Sequence, residues 1–392
     1  MQRIIGTIAR GIKCPIIREG DNVVDISIEN ILQACNTENF TLRDKDVICI
    51  TESIVARAQG NYITIDNITE DIRNKYDGDS LGLVFPITSR NRFSLILKGI
   101  ARAFKNKKII IILKYPHDDF ENEIISIDEL DKHNINPLTD NIELKDFRKL
   151  FGQKFHEHTG IDYLEYYSKI IKEEGAKSEI ILSNEPKTIL KYTKQILVCD
   201  IHSRFRTKRI LKQNGAEKVF ALDDILTTSI KGSGYNDKFG LLGSNRASEE
   251  KLKLFPRYKE SNEIVLEIQK KIFEKTGKKV EVMIYGDAAW DLVDPVVSPA
   301  YTEGLKGKPN EIKIKYLADG KFSKFKGKEL ENKIAMSIKE KEENLKGNII
   351  SEGTCPRNYI DLIGSLSDLV SGSGDKGTPI VLVQGFFDSY ID

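Results

Sequence analysis

Carboxylates, glycines and basic side chains gather at a few places where their spacing permits chemistry. Ser371-Gly-Ser-Gly-Asp-Lys-Gly-Thr378 is a glycine-rich loop between a helical and a β pattern. Gly372, Gly374 and Gly377 let backbone N–H groups converge as a phosphate cradle requires, and Lys376 adds a point charge. The loop is not a P-loop, because G-x-x-x-x-G-K-[ST] is absent and the order is helix, loop, strand; a plain tight connection with solvated Asp375 and Lys376 has the same composition. In the helix before it, Asp361, Ser365 and Asp368 fall at i, i+4 and i+7 on one face, beside a stripe of Leu362, Leu366 and Leu369. Oxygen donors on one face suit a hard divalent cation such as magnesium, and the solvated side of an amphipathic helix gives the same pattern.

A second place is Met283-Ile-Tyr-Gly-Asp287-Ala-Ala-Trp290, with Asp291 and Asp294 close behind. A carboxylate just beyond an apolar strand stands where α/β proteins hold ligands; a turn in which aspartates cap backbone groups fits equally. Two further segments carry polar groups: Lys238-Phe-Gly-Leu-Leu-Gly-Ser-Asn-Arg-Ala-Ser248, with Asn245 and Arg246 after its glycines, and Thr51-Glu52-Ser53 with Arg57. Other chemistries are disfavoured. Arg204-Phe-Arg-Thr-Lys-Arg209 is a short basic stretch that reads as a solvated helix rather than a nucleic-acid patch. His156 and His158 are two apart with no third ligand at zincin spacing, and G-x-S-x-G and H-E-x-x-H are absent.

The elements that must position these groups follow from hydrophobic rhythm. Residues 46–51 and 108–114 are short apolar runs bounded by charge, and both read as buried strands. Glu52 to Ala58 forms a short helix closed by Gly60. Residues 90–103 have helical periodicity, with Phe93, Ile96, Leu97, Ile100 and Ala101 on one face. The opening part otherwise reads as strands and turns, with a turn at Arg18-Glu-Gly-Asp21. Residues 115–160 form a polar excursion of mixed structure. A strand at 196–200, a basic helix at 204–213 and a strand at 218–222 make a small α/β layer. Ser261 caps a helix to Thr276, built on Ile264, Ile268 and Ile272, and a strand at 280–285 follows. Pro356 opens a helix to Val370, and 380–384 is an apolar strand.

The 392 residues suffice for about two or three domains. Lys and Arg total 60 against 59 Asp and Glu, a net charge of +1, so bulk electrostatic attraction to nucleic acid or an anionic membrane has no support. No apolar stretch reaches the roughly 18 residues of a spanning helix, and residues 1–17 lack the apolar core and cleavage site of a signal peptide. The five cysteines are odd in number and scattered, which points to a reducing cytoplasm rather than a disulfide framework.

Taken in order, the chemical segments resemble the γ-glutamyl ligase family typified by coenzyme F(420)-0:L-glutamate ligase. Ile17-Arg-Glu-Gly-Asp21 and Asp46-Val-Ile-Cys-Ile-Thr-Glu-Ser-Ile-Val-Ala-Arg-Ala-Gln-Gly60 are similar to its opening. There an apolar strand runs into a Ser/Thr–hydrophobic–basic–Ala–acidic–Gly segment. Phe239-Gly-Leu-Leu-Gly-Ser-Asn-Arg-Ala-Ser248 resembles its second motif, Thr276-Gly-Lys-Lys with the strand to Asp287 its third, and Asp361 through Gly385 its C-terminal helix, glycine loop and strand. Residues 91–236 resemble an insertion of a longer bacterial branch, and Pro86-Ile-Thr-Ser-Arg-Asn-Arg-Phe93 and Asp294-Pro-Val-Val-Ser-Pro299 are similar to phrases of that branch.

The resemblance implies an α+β (mixed α/β) fold: a ligase core in two parts, 1–90 and 237–392, around a large α/β insertion at 91–236. It implies a cytoplasmic homodimer in which GTP or ATP phosphorylates a carboxylate of a small-molecule acceptor and the amine of L-glutamate attacks the acyl phosphate. Two divalent ions, magnesium or manganese, neutralise the phosphates. Asp287 and Asp361 match the metal-binding, catalytic role. Ser53, Arg57, Asn245, Arg246, Gly374, Lys376 and Gly377 match the nucleotide and phosphate role. The family's second motif has an aspartate where this chain has Arg246, so a nucleotide-binding or scaffolding homologue with altered catalysis is the alternative.

Overall fold

The computed structural model of the protein describes residues 5–88, 91–119, 121–286, 296–297, 322–339, 359–371 and 377–388. Among them the fold is mixed α/β with three sheets. Two compact units share the chain: Met1–Ala58 with Lys259–Asp392, and Gln59–Tyr258. The first unit opens with β1 (Ile8–Ile12), α1 (Val23–Thr37), β2 (Val47–Thr51) and α2 (Glu52–Ala58). The second begins with β3 (Tyr62–Thr64), α3 (Ile65–Lys75), β4 (Ser80–Val84), α4 (Asn91–Ala103), β5 (Lys108–Leu113), α5 (Ile127–Lys132), β6 (Ile142–Glu143) and α6 (Leu144–Phe151). It continues with α7 (Tyr163–Glu173), β7 (Lys177–Leu182), β8 (Gln195–Val198), α8 (Arg204–Gln213), β9 (Lys218–Ala221), β10 (Ser244–Arg246) and β11 (Lys251–Leu254). The chain returns to the first unit through α9 (Tyr258–Thr276), β12 (Glu281–Tyr285), β13 (Val296–Val297), α10 (Gly327–Lys339), α11 (Tyr359–Ser371) and β14 (Ile380–Gln384).

The first unit is built on a sheet of order β1-β14-β2-β12-β13, with β2 and β12 parallel and the other pairs antiparallel. Alternation along β2 sends Val47 and Cys49 to one face, where they pack with Met283, Tyr285, Val381, Val383 and Ile363 of α11. Ile48 and Ile50 are buried too, so β2 is covered on both faces and reads as an unbroken apolar run.

Three sequence expectations are corrected here. The opening part contains the 15-residue helix α1. The Asn22 side chain accepts from Asp25 N at 3.1 Å to cap it, and Val24, Ile28 and Ile31 are buried at helical spacing. Helix α9 starts at Tyr258, so Ser261 is a buried interior residue rather than the cap. In α11 the buried residues are Ile363, Ser367 and Ser371; of the leucine stripe Leu366 packs partly buried against the core, while Leu369 is 77% exposed.

The second unit holds a six-stranded sheet, β6-β7-β5-β4-β8-β9, parallel except at β6, and a small antiparallel sheet, β10-β11-β3. Its five parallel strands lie in the order third, second, first, fourth, fifth along the chain, a doubly wound arrangement whose direction reverses between β4 and β8. Ile109, Ile111 and Leu113 of β5 face one core and Ile110 and Ile112 the other, which accounts for the continuous run of isoleucines. Asn61, fully buried, ties β3 to the later chain: its amide donates to Tyr235 O at 2.9 Å and Phe255 O at 2.6 Å and accepts from Tyr235 N at 2.9 Å.

In the first unit, buried Gln384 at the end of β14 donates to Asp46 Oδ2 at 2.6 Å and accepts from Arg10 Nη1 at 2.6 Å. Gln384→Ala deprives Asp46, itself 1% exposed, of its side-chain donor and Arg10 of its acceptor. The variant is expected to lose about 1–3 kcal/mol in urea unfolding of the full chain; unchanged stability would show that this link contributes nothing.

Candidate active site

Three segments meet at the C-terminal end of β2. Tyr285 of β12 lies beside Thr51 in parallel register, and Thr51 N donates to Pro379 O at 3.0 Å just before β14. The chain then turns directly into α2, with Ser53 N donating to Thr51 Oγ1 at 3.4 Å. Ser53 and Arg57 are half-buried. The Arg18–Asp21 turn sits against the end of α2, where Gly20 N donates to Ala58 O at 2.8 Å and Arg18 N to Asp21 Oδ2 at 2.6 Å. Among the described residues the Arg57 guanidinium has neither an ion pair nor a hydrogen bond. An arginine that structural partners do not use is available to an anion.

Glu52 is buried at the start of α2, and its Oε2 would stand 3.0 Å from a Cβ on Gly286. Glycine at 286 therefore makes room for that carboxylate immediately before position 287. In the sequence Glu52 stands only within a polar triplet; its burial beside Gly286 depends on the parallel pairing of β2 and β12.

The ends of the glycine loop are pinned. Thr378 Oγ1 donates to Ser371 O at 3.1 Å, bringing the end of α11 to the start of β14. Gly377 has φ +67°, the left-handed region that glycine enters without a steric penalty, and its carbonyl accepts from Cys14 N at 3.1 Å.

The structure thus brings Ser53, Arg57 and Gly377 to one unit, with α11 packing across β1, β14, β12 and β2. Asp361 lies near the start of α11, and its side chain falls outside the described residues, as do Asp287, Gly374 and Lys376. Among the described residues no group of three acidic, histidine or cysteine side chains is placed to hold a metal. Glu52, an oxygen donor of the kind magnesium and manganese take, is the described carboxylate next to the expected site.

Asn245 and Arg246 belong to the other unit, on β10, opposite Lys253 and Leu252 of β11. Arg246 is exposed and its Nε donates to Ser248 O at 3.2 Å. The glycines before them serve packing. A Cβ on Gly240 would stand 2.3 Å from Ile225 O, and one on Gly243 2.4 Å from the Phe255 ring. The basic run of α8 is partly spent internally: Arg204 Nε donates to Asp223 Oδ2 at 2.6 Å and Lys208 pairs with Asp224 at 2.5 Å. His156 accepts at Nδ1 from His158 N at 3.2 Å, so its Nε2 carries the proton donated to Asn122 Oδ1 at 3.0 Å.

Residues 11–385 match the family model described as F420-0:Gamma-glutamyl ligase. The chain belongs to this family. It is therefore an amide-bond-forming ligase, and its expected motifs fall within the matched span. No curated protein matches the chain. No described helix is long and apolar enough to cross a membrane.

Amide formation through an activated carboxylate needs no cysteine nucleophile, and Cys49, central in β2, is unsuited to be one. Burial pushes its thiol up to about 12, against a smaller lowering by the Ser367 hydroxyl, and burial carries Cys199 well above the usual thiol range. The thiolate is the reactive form. A thiolate-directed reagent at pH 8 is accordingly expected to leave Cys49 and Cys199 unmodified in the native ligase and to modify both after denaturation, as read by peptide mass mapping.

Proposed function

We propose that this family member is a cytoplasmic nucleotide- and divalent-metal-dependent γ-glutamyl ligase that joins L-glutamate to a carboxylate of a cofactor-like acceptor, F(420)-0-like or folate-like. The observation that carries the reading is the meeting of the ends of β2 and β12 with the chain just before β14, in a chain of this family and in the same unit as Arg57, which has no ion pair or hydrogen bond among the described residues.

In this reading Arg57, Ser53, Gly374, Lys376 and Gly377 hold the phosphates of GTP or ATP. Charged and backbone donors arranged in advance stabilise the negative charge of phosphoryl transfer without reorganising during the reaction. The acceptor carboxylate attacks the γ-phosphorus, the nucleoside diphosphate leaves, and the amine of L-glutamate displaces phosphate from the acyl phosphate to form the amide. Asp287 and Asp361 hold magnesium or manganese, which supplies charge neutralisation at the phosphates. Glu52, beside Gly286, adds an oxygen donor near the first of these. The core comprises 1–90 and 237–392, residues 91–236 are an insertion, and the active protein is a homodimer.

Glutamate-dependent release of nucleoside diphosphate, measured across F(420)-0-like and folate-like acceptors with magnesium or manganese, tests the reading. Turnover with one acceptor supports it. Saturable nucleotide binding with no product from any acceptor identifies instead a binding homologue with altered catalysis, in keeping with the exposed Arg246 where the family motif has an acid. Arg57→Ala is expected to change stability by no more than about 0.5 kcal/mol, since no described partner is lost. The same variant is expected to raise the KM for nucleotide about tenfold or more, because hydrogen bonds from a charged donor are lost. Asp287→Asn and Asp361→Asn are each expected to abolish turnover while the fold, read by circular dichroism, persists.

A further inference from the structure

Both ring nitrogens of His156 hold one loop of the second unit to another, a task that belongs to none of the ligase motifs. Nδ1 accepts from two backbone N–H groups of its own loop, His158 N at 3.2 Å and Thr159 N at 3.3 Å. The same turn is closed by His156 N donating to Ile161 O at 3.0 Å and by Gly160 N donating to His156 O at 2.8 Å, with Gly160 at φ +65°. An imidazole nitrogen that accepts carries no hydrogen, so the ring in this turn is the neutral form with its proton on Nε2.

That proton anchors the ring. Nε2 donates to Asn122 Oδ1 at 3.0 Å, and Asn122 Nδ2 donates in turn to Asp118 Oδ1 at 2.8 Å. Asp118 is buried, and its Oδ2 accepts from Thr88 N at 3.0 Å and Thr88 Oγ1 at 2.8 Å. One nitrogen therefore fixes the ring to the loops that follow β4 and β5, and the other holds the 156–161 turn down onto them. A second proton ends that arrangement. The imidazolium has a hydrogen on both nitrogens and can accept at neither, while its Nε2–H bond to Asn122 stays intact. Protonation loosens the turn and leaves the anchor in place.

The charged and titratable groups around the ring are engaged elsewhere. Lys154 of the same loop pairs with Glu129 of α5, and Asp162, next after the turn, with Arg148 of α6 at 2.8 Å. Glu123, on the loop after β5, stands 3.8 Å from His117, and Glu157 is exposed. His158 and Tyr163 of α7 meet the ring edge-on, their centroids 5.8 and 5.6 Å away. Among the described residues no side chain bonds Nδ1, so the two backbone N–H groups alone occupy the nitrogen that gains the proton. The turn and its flank supply Phe155, His156 and Ile161 as walls of a small pocket, opposite Thr88, Leu113 and Tyr163. Phe155 is 62% exposed and a Cβ on Gly160 would meet nothing within 4 Å, so the turn has space to lift into.

We propose that residues 156–161 form a pH-operated latch at the carboxyl edge of the second unit's parallel sheet, shut while His156 is neutral and released when its ring takes a second proton. Histidine suits the role because it changes charge between about pH 5 and pH 8. Only the released turn can hold the second proton, so its population rises as pH falls. Hydrogen exchange followed by mass spectrometry, on the full chain without nucleotide or glutamate, tests the latch independently of ligation. Between about pH 7.5 and pH 5.5, protection of the 156–161 turn, corrected for the intrinsic pH dependence of exchange, is expected to fall about tenfold or more while that of α7 and α8 holds. His156→Asn keeps a side-chain oxygen that accepts from the same N–H groups and does not titrate, so its turn is expected to stay protected at both pH values. His158→Gln is expected to respond as the native chain does. Equal protection of the native turn at both pH values, a His156→Asn turn that loosens in acid as the native one does, or a response lost in His158→Gln would overturn the proposal; the native comparison stands even where a variant fails to fold.

Discussion

Strand β2 must satisfy its backbone groups on both edges, and neither neighbour is near it in sequence. One edge pairs with β14 from the end of the chain and the other with β12. Until both arrive, the buried N–H and C=O groups of Val47 to Thr51 lack partners, and such groups are costly away from water. That single requirement draws together the glycine loop before β14, the Gly286 turn after β12 and the start of α2, because all three are continuations of strands held in register with β2 or of β2 itself. The phosphate-binding and carboxylate residues proposed for ligation are attached to those continuations.

The second unit obeys a different constraint. Its parallel sheet cannot be closed by tight hairpins, so helices must cross over it and both faces are buried. The isoleucines of β5 divide between two cores for this reason. Strand order accordingly runs outward in both directions from β4, towards β5 and β7 on one side and β8 and β9 on the other.

Some of this is legible without a structure. The runs at β2, β5 and β14 and the periodic helices α4 and α9 declare themselves through apolar spacing bounded by charge, turn residues or glycine. Helix α1 is less visible because its Asn22 cap directly follows a strong turn signal, whose local pattern favours irregular structure. In α11 the apolar residues wrap wider than one stripe, and only the packing against the sheet shows that Ile363 and part of Leu366 are covered while Leu369 is left exposed.

Composition and motif order alone determined the class of protein: a neutral, cysteine-poor chain with separated ligase motifs, an expectation that the family match over residues 11–385 bears out. Local patterns also determined most strands, because burial on two faces leaves a direct apolar signature. Only the tertiary structure decided that β14 lies between β1 and β2, and that Glu52 packs on Gly286. Strand order and the accounting of buried polar atoms depend on hydrogen bonds between residues far apart along the chain, and no local spacing encodes which of the possible partners will meet.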